Sequence, residues 1–76
     1  SLQSLLGQYQ REEAHERLAQ THNELAWYYR DERPDSALYH ANVALRISRQ
    51  YQLPEEEIKS VNYVGVAYRN LSNFSK

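Results

Sequence analysis

The chain has 76 residues, one small domain at most, and a chain of that size buries only about 60% of its unfolded surface. Nine Lys and Arg stand against ten Asp and Glu, a formal net charge of −1. Nucleic acid or an anionic membrane would require clustered basic residues, so neither is expected as a partner. Cysteine is absent, which excludes disulfides, thiolate chemistry and cysteine-bound metal, and leaves cytoplasm and periplasm equally open.

Leu2, Leu5 and Leu6 recur at helical spacing ahead of Gly7, so a short opening helix is expected within residues 1–10. A longer helix follows over 11–30, with Ala14, Leu18, Leu25 and Tyr29 on one stripe. The polar run from Arg30 to Ser36 interrupts it. Pro34 has no N–H and a fixed φ, which suits the first turn of a new helix and opposes continuation of the old one. That second helix carries Ala37, Ala41 and Ala44, small residues that let two axes approach closely, and is expected to run to about Tyr51. Pro54 restarts the chain, and Glu55, Glu56 and Glu57 crowd the first turn of a third helix, where acidic groups complement the helix dipole. Ile58, Val61, Val64, Gly65, Tyr68 and Leu71 give that helix an apolar face. Asn70 to Asn73 reads as a turn, with Phe74 opening a further helix. No strand-like alternation persists, so the fold is expected to be all-α, with about three long helices. No apolar stretch approaches the roughly 20 residues of a membrane span. The chain also holds no methionine, even at its start, which leads us to expect a piece of a longer protein.

An internal repeat organises these elements. Asn23–Arg30 (NELAWYYR) and Asn62–Arg69 (NYVGVAYR) share Asn, Tyr and Arg at corresponding places, offset by 39 residues. Leu25 then corresponds to Val64, and small Ala26 to small Gly65. Repeats of this period are characteristic of stacked helical hairpins, in which a small residue lets the partner helix nest and a tyrosine packs on its alanines.

On those residues the chain resembles the tetratricopeptide repeat (TPR) family. Leu25, Ala26 and Tyr29, followed by Ala37, Ala41 and Ala44, match its repeat, and Val64, Gly65 and Tyr68 match the start of the next. The turn before Ser36 is one residue shorter than usual and lacks its glycine, and the long connection before Pro54 is similar to the variant of about 40 residues. The resemblance implies a fragment of a right-handed superhelix of antiparallel hairpins, with residues 12–51 as the first repeat and 54–76 as half of a second. It also implies a non-catalytic protein-binding scaffold. The style of sequence is similar to TPR regions of bacterial signalling proteins, such as sensor histidine kinases and adenylate cyclases, which implies as an alternative a sensory or dimerising region whose output domain lies elsewhere.

By helical rotation Gln20, Asn23, Trp27 and Arg30 share a face that in this family lines the concave groove, and Lys59, Asn62, Val66 and Arg69 are their counterparts. Trp27 has a second expected place, under the opening helix beside Leu5 and Leu6. Tyr28 and Tyr29 are expected in the core. Arg30 and Arg69 would either hold an acidic side chain or terminal carboxylate of a peptide, or complement the negative ends of their own helices. The partner is therefore expected to be a protein or peptide, acidic ones among the candidates. With half a repeat left open at Val64, Tyr68 and Leu71, two copies are also expected to pair. His15 and His22 lie about 10 Å apart along a helix, too far to share a zinc ion, and no motif for a catalytic site or phosphate loop occurs. No metal or cofactor is expected from the sequence.

Overall fold

The computed structural model describes residues 1–74; the last two residues of the expected half-repeat, Ser75 and Lys76, lie outside the described residues. The described residues are all-helical: α1 (Leu2–Tyr29), α2 (Pro34–Gln50) and α3 (Pro54–Phe74). Each short connection folds the chain back, so α2 is antiparallel to both neighbours. His15 meets Tyr51 and His22 meets His40 across α1 and α2, while Asn23 reaches Ser60 and Arg30 reaches Asn70 across the parallel pair α1 and α3. The molecule is elongated, 58 × 17 × 13 Å.

The opening helix is not separate. α1 runs unbroken through Gly7, because one glycine inside a helix costs only about 1 kcal/mol relative to alanine. Ser1 caps it, its Oγ accepting from the Ser4 amide at 3.2 Å, and the exposed Glu13–Arg17 pair at 2.6 Å supports the next turns. At 28 residues α1 is about 42 Å long, against about 25 Å for the 17 of α2, so its first half extends past the hairpin. Leu2, Leu5, Leu6 and Tyr9 are accordingly exposed.

The two prolines act as expected. Arg33, held at φ −133° by the proline after it, leads into Pro34 at the start of α2. The far end of α2 closes with Gln52 in the left-handed region (φ 56°) and the Leu53 amide donating back to the Ser48 carbonyl at 2.8 Å, a Schellman cap without the usual glycine. The turn expected at Asn70–Asn73 is absent, since α3 continues to Phe74. Asn70 is used in the tertiary structure instead. Its Nδ2 donates to the Arg30 carbonyl at 2.6 Å, satisfying an open acceptor at the C-terminal end of α1.

The core is built from small side chains. Ala19, Ala26, Ala37, Ala41, Ala44, Ala67 and Ile47 are its buried apolar members. The stripe that α1 buries is Ala19, Asn23 and Ala26, rotated one residue from the expected one; Ala14 is exposed and Leu18 is 47% exposed. Of the residues expected to pack the repeat, Ala26, Ala37, Ala41 and Ala44 are buried, and Leu25, Tyr29 and Val64 are half-buried. Gly65 and Tyr68 are not packed: Tyr68 is 59% exposed, and a Cβ on Gly65 would meet nothing within 4 Å. Ile58 and Val61 are exposed with them, because no helix covers that face of α3 among the described residues. α3 buries Glu56, Ser60 and Ala67 on its other face.

Candidate functional site

The floor of the site is a polar knot between α1 and α3. Asn23 Nδ2 donates to the Glu56 side chain (3.0 Å) and to the Glu56 carbonyl (3.1 Å). Ser60 Oγ lies 3.0 Å from Asn23 Oδ1 and 2.7 Å from the same carbonyl, both acceptors for its single proton. Glu56 is only 6% exposed, and Lys59 Nζ lies 3.7 Å from its Oε2. A buried carboxylate needs such partners, because desolvating it alone is far costlier than any one hydrogen bond returns. Asn23 is buried with both amide atoms hydrogen-bonded, and it lies at the base of the hollow described next. Glu55 and Glu57 point elsewhere; Glu57 Oε2 accepts from Arg49 Nε at 3.3 Å.

Above this floor lies an open hollow of about 460 Å³ lined by Gln20, Glu24, Trp27, Lys59 and Tyr63. Trp27 is 47% exposed, with the Tyr63 ring centroid 5.4 Å away and the Arg30 Cζ 3.6 Å from its own centroid. The alternative place for Trp27 beside Leu5 and Leu6 is excluded, since all three lie on one continuous helix more than five turns apart. Arg30 is engaged at home: Nη1 donates to the Trp27 carbonyl at 2.7 Å and Nη2 lies 3.7 Å from Asp31. Of its two expected roles it takes the helix-end one, and its guanidinium props the indole that faces the hollow.

The structure therefore brings together Gln20, Trp27 and Lys59 over Asn23, with Arg30 at the rim. Asn62 and Arg69 are exposed outside the lining, and Val66 is half-buried outside it. Glu24, Glu56 and Tyr63 are the lining residues that the repeat alignment does not supply. The reason is geometric: residues that correspond by repeat are equivalent, not adjacent, and Trp27 faces Tyr63 rather than Val66. The sequence does carry a signal for them, since Gln20–Glu24–Trp27 and Glu56–Lys59–Tyr63 are each spaced as one helix face. Two carboxylates against one ammonium line the hollow, so the expectation of an acidic partner finds no positive lining here.

On the α1–α2 side the histidines meet. His22 Nδ1 and His40 Nδ1 are 2.9 Å apart, so one ring donates to the other. Tyr29 stacks on His40 at 5.9 Å and Tyr39 touches its edge at 5.1 Å. Burial lowers the pKa of His22, and the charges of His40 and Arg46 lower it further. His15 stacks on Tyr51 at 3.7 Å, away from that pair. Tyr28, expected in the core, is 77% exposed and touches only the edge of Tyr29 in this aromatic group. Among the described residues no helix is long and apolar enough to cross a membrane. No protein-family model matches the chain, and no curated protein and no solved structure matches it.

Proposed function

We infer that the chain is a non-catalytic protein-binding module of the tetratricopeptide type, with the α1–α3 hollow as its peptide-contact surface. The observation that supports this reading is the half-exposed Trp27, held by Arg30 and Tyr63 above a fully hydrogen-bonded floor. An aromatic fixed in this way offers large contact area at little entropic cost on binding. Glu24 and Lys59 beside it supply one charge of each sign for orienting a ligand. The lining favours a peptide that lays an apolar or aromatic side chain on Trp27 and a basic group toward Glu24.

Trp27 is the sole tryptophan, so its emission reports on the hollow directly. Peptides selected by display against the immobilised chain should shift that emission. Trp27→Ala and Lys59→Ala should weaken their binding about tenfold or more, as is typical of central contacts, whereas Asn62→Ala and Arg69→Ala should leave it unchanged. Selected peptides that ignore Trp27 would overturn this assignment.

A second reading, a dimerising or sensory region of a bacterial signalling protein whose output domain lies elsewhere, draws on the bare face of α3. Ile58, Val61, Gly65 and Tyr68 form an apolar strip that a second copy would cover. Sedimentation equilibrium tests it: a dimer dispersed by Val61→Glu supports it, and a chain that stays monomeric at about 100 µM counts against it.

A further inference from the structure

The His22–His40 contact joins two different helices through the same atom type on each ring, Nδ1 to Nδ1. Metal–imidazole bonds are about 2.0–2.1 Å, so two nitrogens 2.9 Å apart subtend about 90° at a shared ion. A tetrahedral ion would need about 3.3 Å between them at the same bond length. The separation is the length of the hydrogen bond between the rings, and it also matches the spacing of two adjacent positions in a square or tetragonal sphere, the geometry of Cu²⁺ and Ni²⁺, so the ion could replace the shared proton with little movement of either ring.

We propose that His22 and His40 form a two-imidazole site for a divalent ion of tetragonal preference, Cu²⁺ above the others, that pins α1 to α2. Both residues are half-buried, so they are pre-positioned yet reachable, and the Tyr29 and Tyr39 rings hold His40 in place. No group of three or more His, Cys, Asp or Glu side chains converges among the described residues, so water fills the remaining positions. On binding, the donor ring moves its proton from Nδ1 to Nε2 and both Nδ1 lone pairs turn to the ion, with no net proton released when both rings start neutral. Arg46 nearby opposes a cation, so affinity comes from coordination and not from the surrounding field. Because the two nitrogens are brought together only in the folded hairpin, binding adds to its stability.

The test is thermal unfolding of the full chain with copper(II) alone in a non-coordinating buffer at pH 7.5. With copper several times above its dissociation constant, the midpoint should rise by about 4–8 °C in the wild type and in His15→Gln. His22→Gln and His40→Gln should each abolish the rise, and zinc at equal concentration should give a smaller one. Electron paramagnetic resonance of the wild type with one equivalent of copper should show two equatorial imidazole nitrogens, a readout independent of whether the variants fold. No rise in the wild type, an equal rise in either His22→Gln or His40→Gln, zinc matching copper, or a single-nitrogen spectrum would each overturn the site.

Discussion

Asn23–Arg30 on α1 and Asn62–Arg69 on α3 carry the same letters at the key places and meet opposite fates. Asn23 and Ala26 are buried, whereas Asn62 and Gly65 are exposed. Tyr29 is half-buried against His40, and Tyr68 stands out toward solvent. The local sequence is therefore not what buries the motif. α1 has α2 on one side and α3 on another, and the corresponding face of α3 has no helix over it among the described residues. A repeat motif encodes readiness to pack, and its neighbours decide whether packing occurs.

The sharpest probe of that contrast is the asparagine pair. Asn23→Ala leaves the buried Glu56 carboxylate and carbonyl without their amide donor, while Ser60 keeps its bond to the carbonyl, so a loss of about 2–4 kcal/mol is expected. Asn62→Ala on the exposed copy should stay within about 0.5 kcal/mol of the wild type. Urea unfolding of the two variants decides it, and equal losses would mean that the α3 face is covered in solution.

The small residues give the next largest effect. Ala26→Leu forces extra atoms into an interface built from alanines and should cost about 1–3 kcal/mol. Its counterpart should respond with the opposite sign. Gly65→Ala adds a Cβ into open space within a helix, so propensity alone should stabilise the chain by about 0.8–1.0 kcal/mol. A loss of stability at Gly65, measured in the same urea series, would reveal a second helix packed there.

These pairs also mark where the sequence was legible. Pro34 and Pro54 set helix starts through their own covalent geometry, so the elements they begin could be read locally. Gly7 and Asn70 could not be read that way. A single glycine is too weak to stop a helix whose other residues favour it, and Asn70 lies inside α3 with its amide on the Arg30 carbonyl, a partner 40 residues away in sequence. The buried stripe of α1 was misplaced by one residue because its apolar side chains are spread around the helix rather than gathered on one face. Leu18 and Leu25 mark a stripe by hydropathy, yet the contacts run through Ala19, Asn23 and Ala26. In the hollow, Gln20 and Trp27 followed from helical rotation and Lys59 from the 39-residue offset. Tyr63 and Glu56 depend on the register between α1 and α3, which hairpin geometry sets and no local pattern states.

The smallest effect separates His22 from its counterpart Val61, and it is read from a slope rather than a midpoint. His22 has a folded-state pKa below its ordinary value of 6.5, because burial, then His40 and Arg46, disfavour the imidazolium. The unfolded chain therefore binds a proton at this group more readily than the folded one, and stability falls as pH falls wherever that holds. The contribution is fully present above pH 6.5 and drains away as pH drops through 6.5 toward the lowered folded value. His22→Gln removes both the hydrogen bond to His40 and the titration, so its absolute stability differs at every pH. Urea midpoints between pH 7.5 and 5.5 should fall more steeply for the wild type than for His22→Gln, while Val61→Gln should track the wild type. Parallel lines for wild type and His22→Gln would show that the His22–His40 contact opens in solution and that His22 is not held in its buried position.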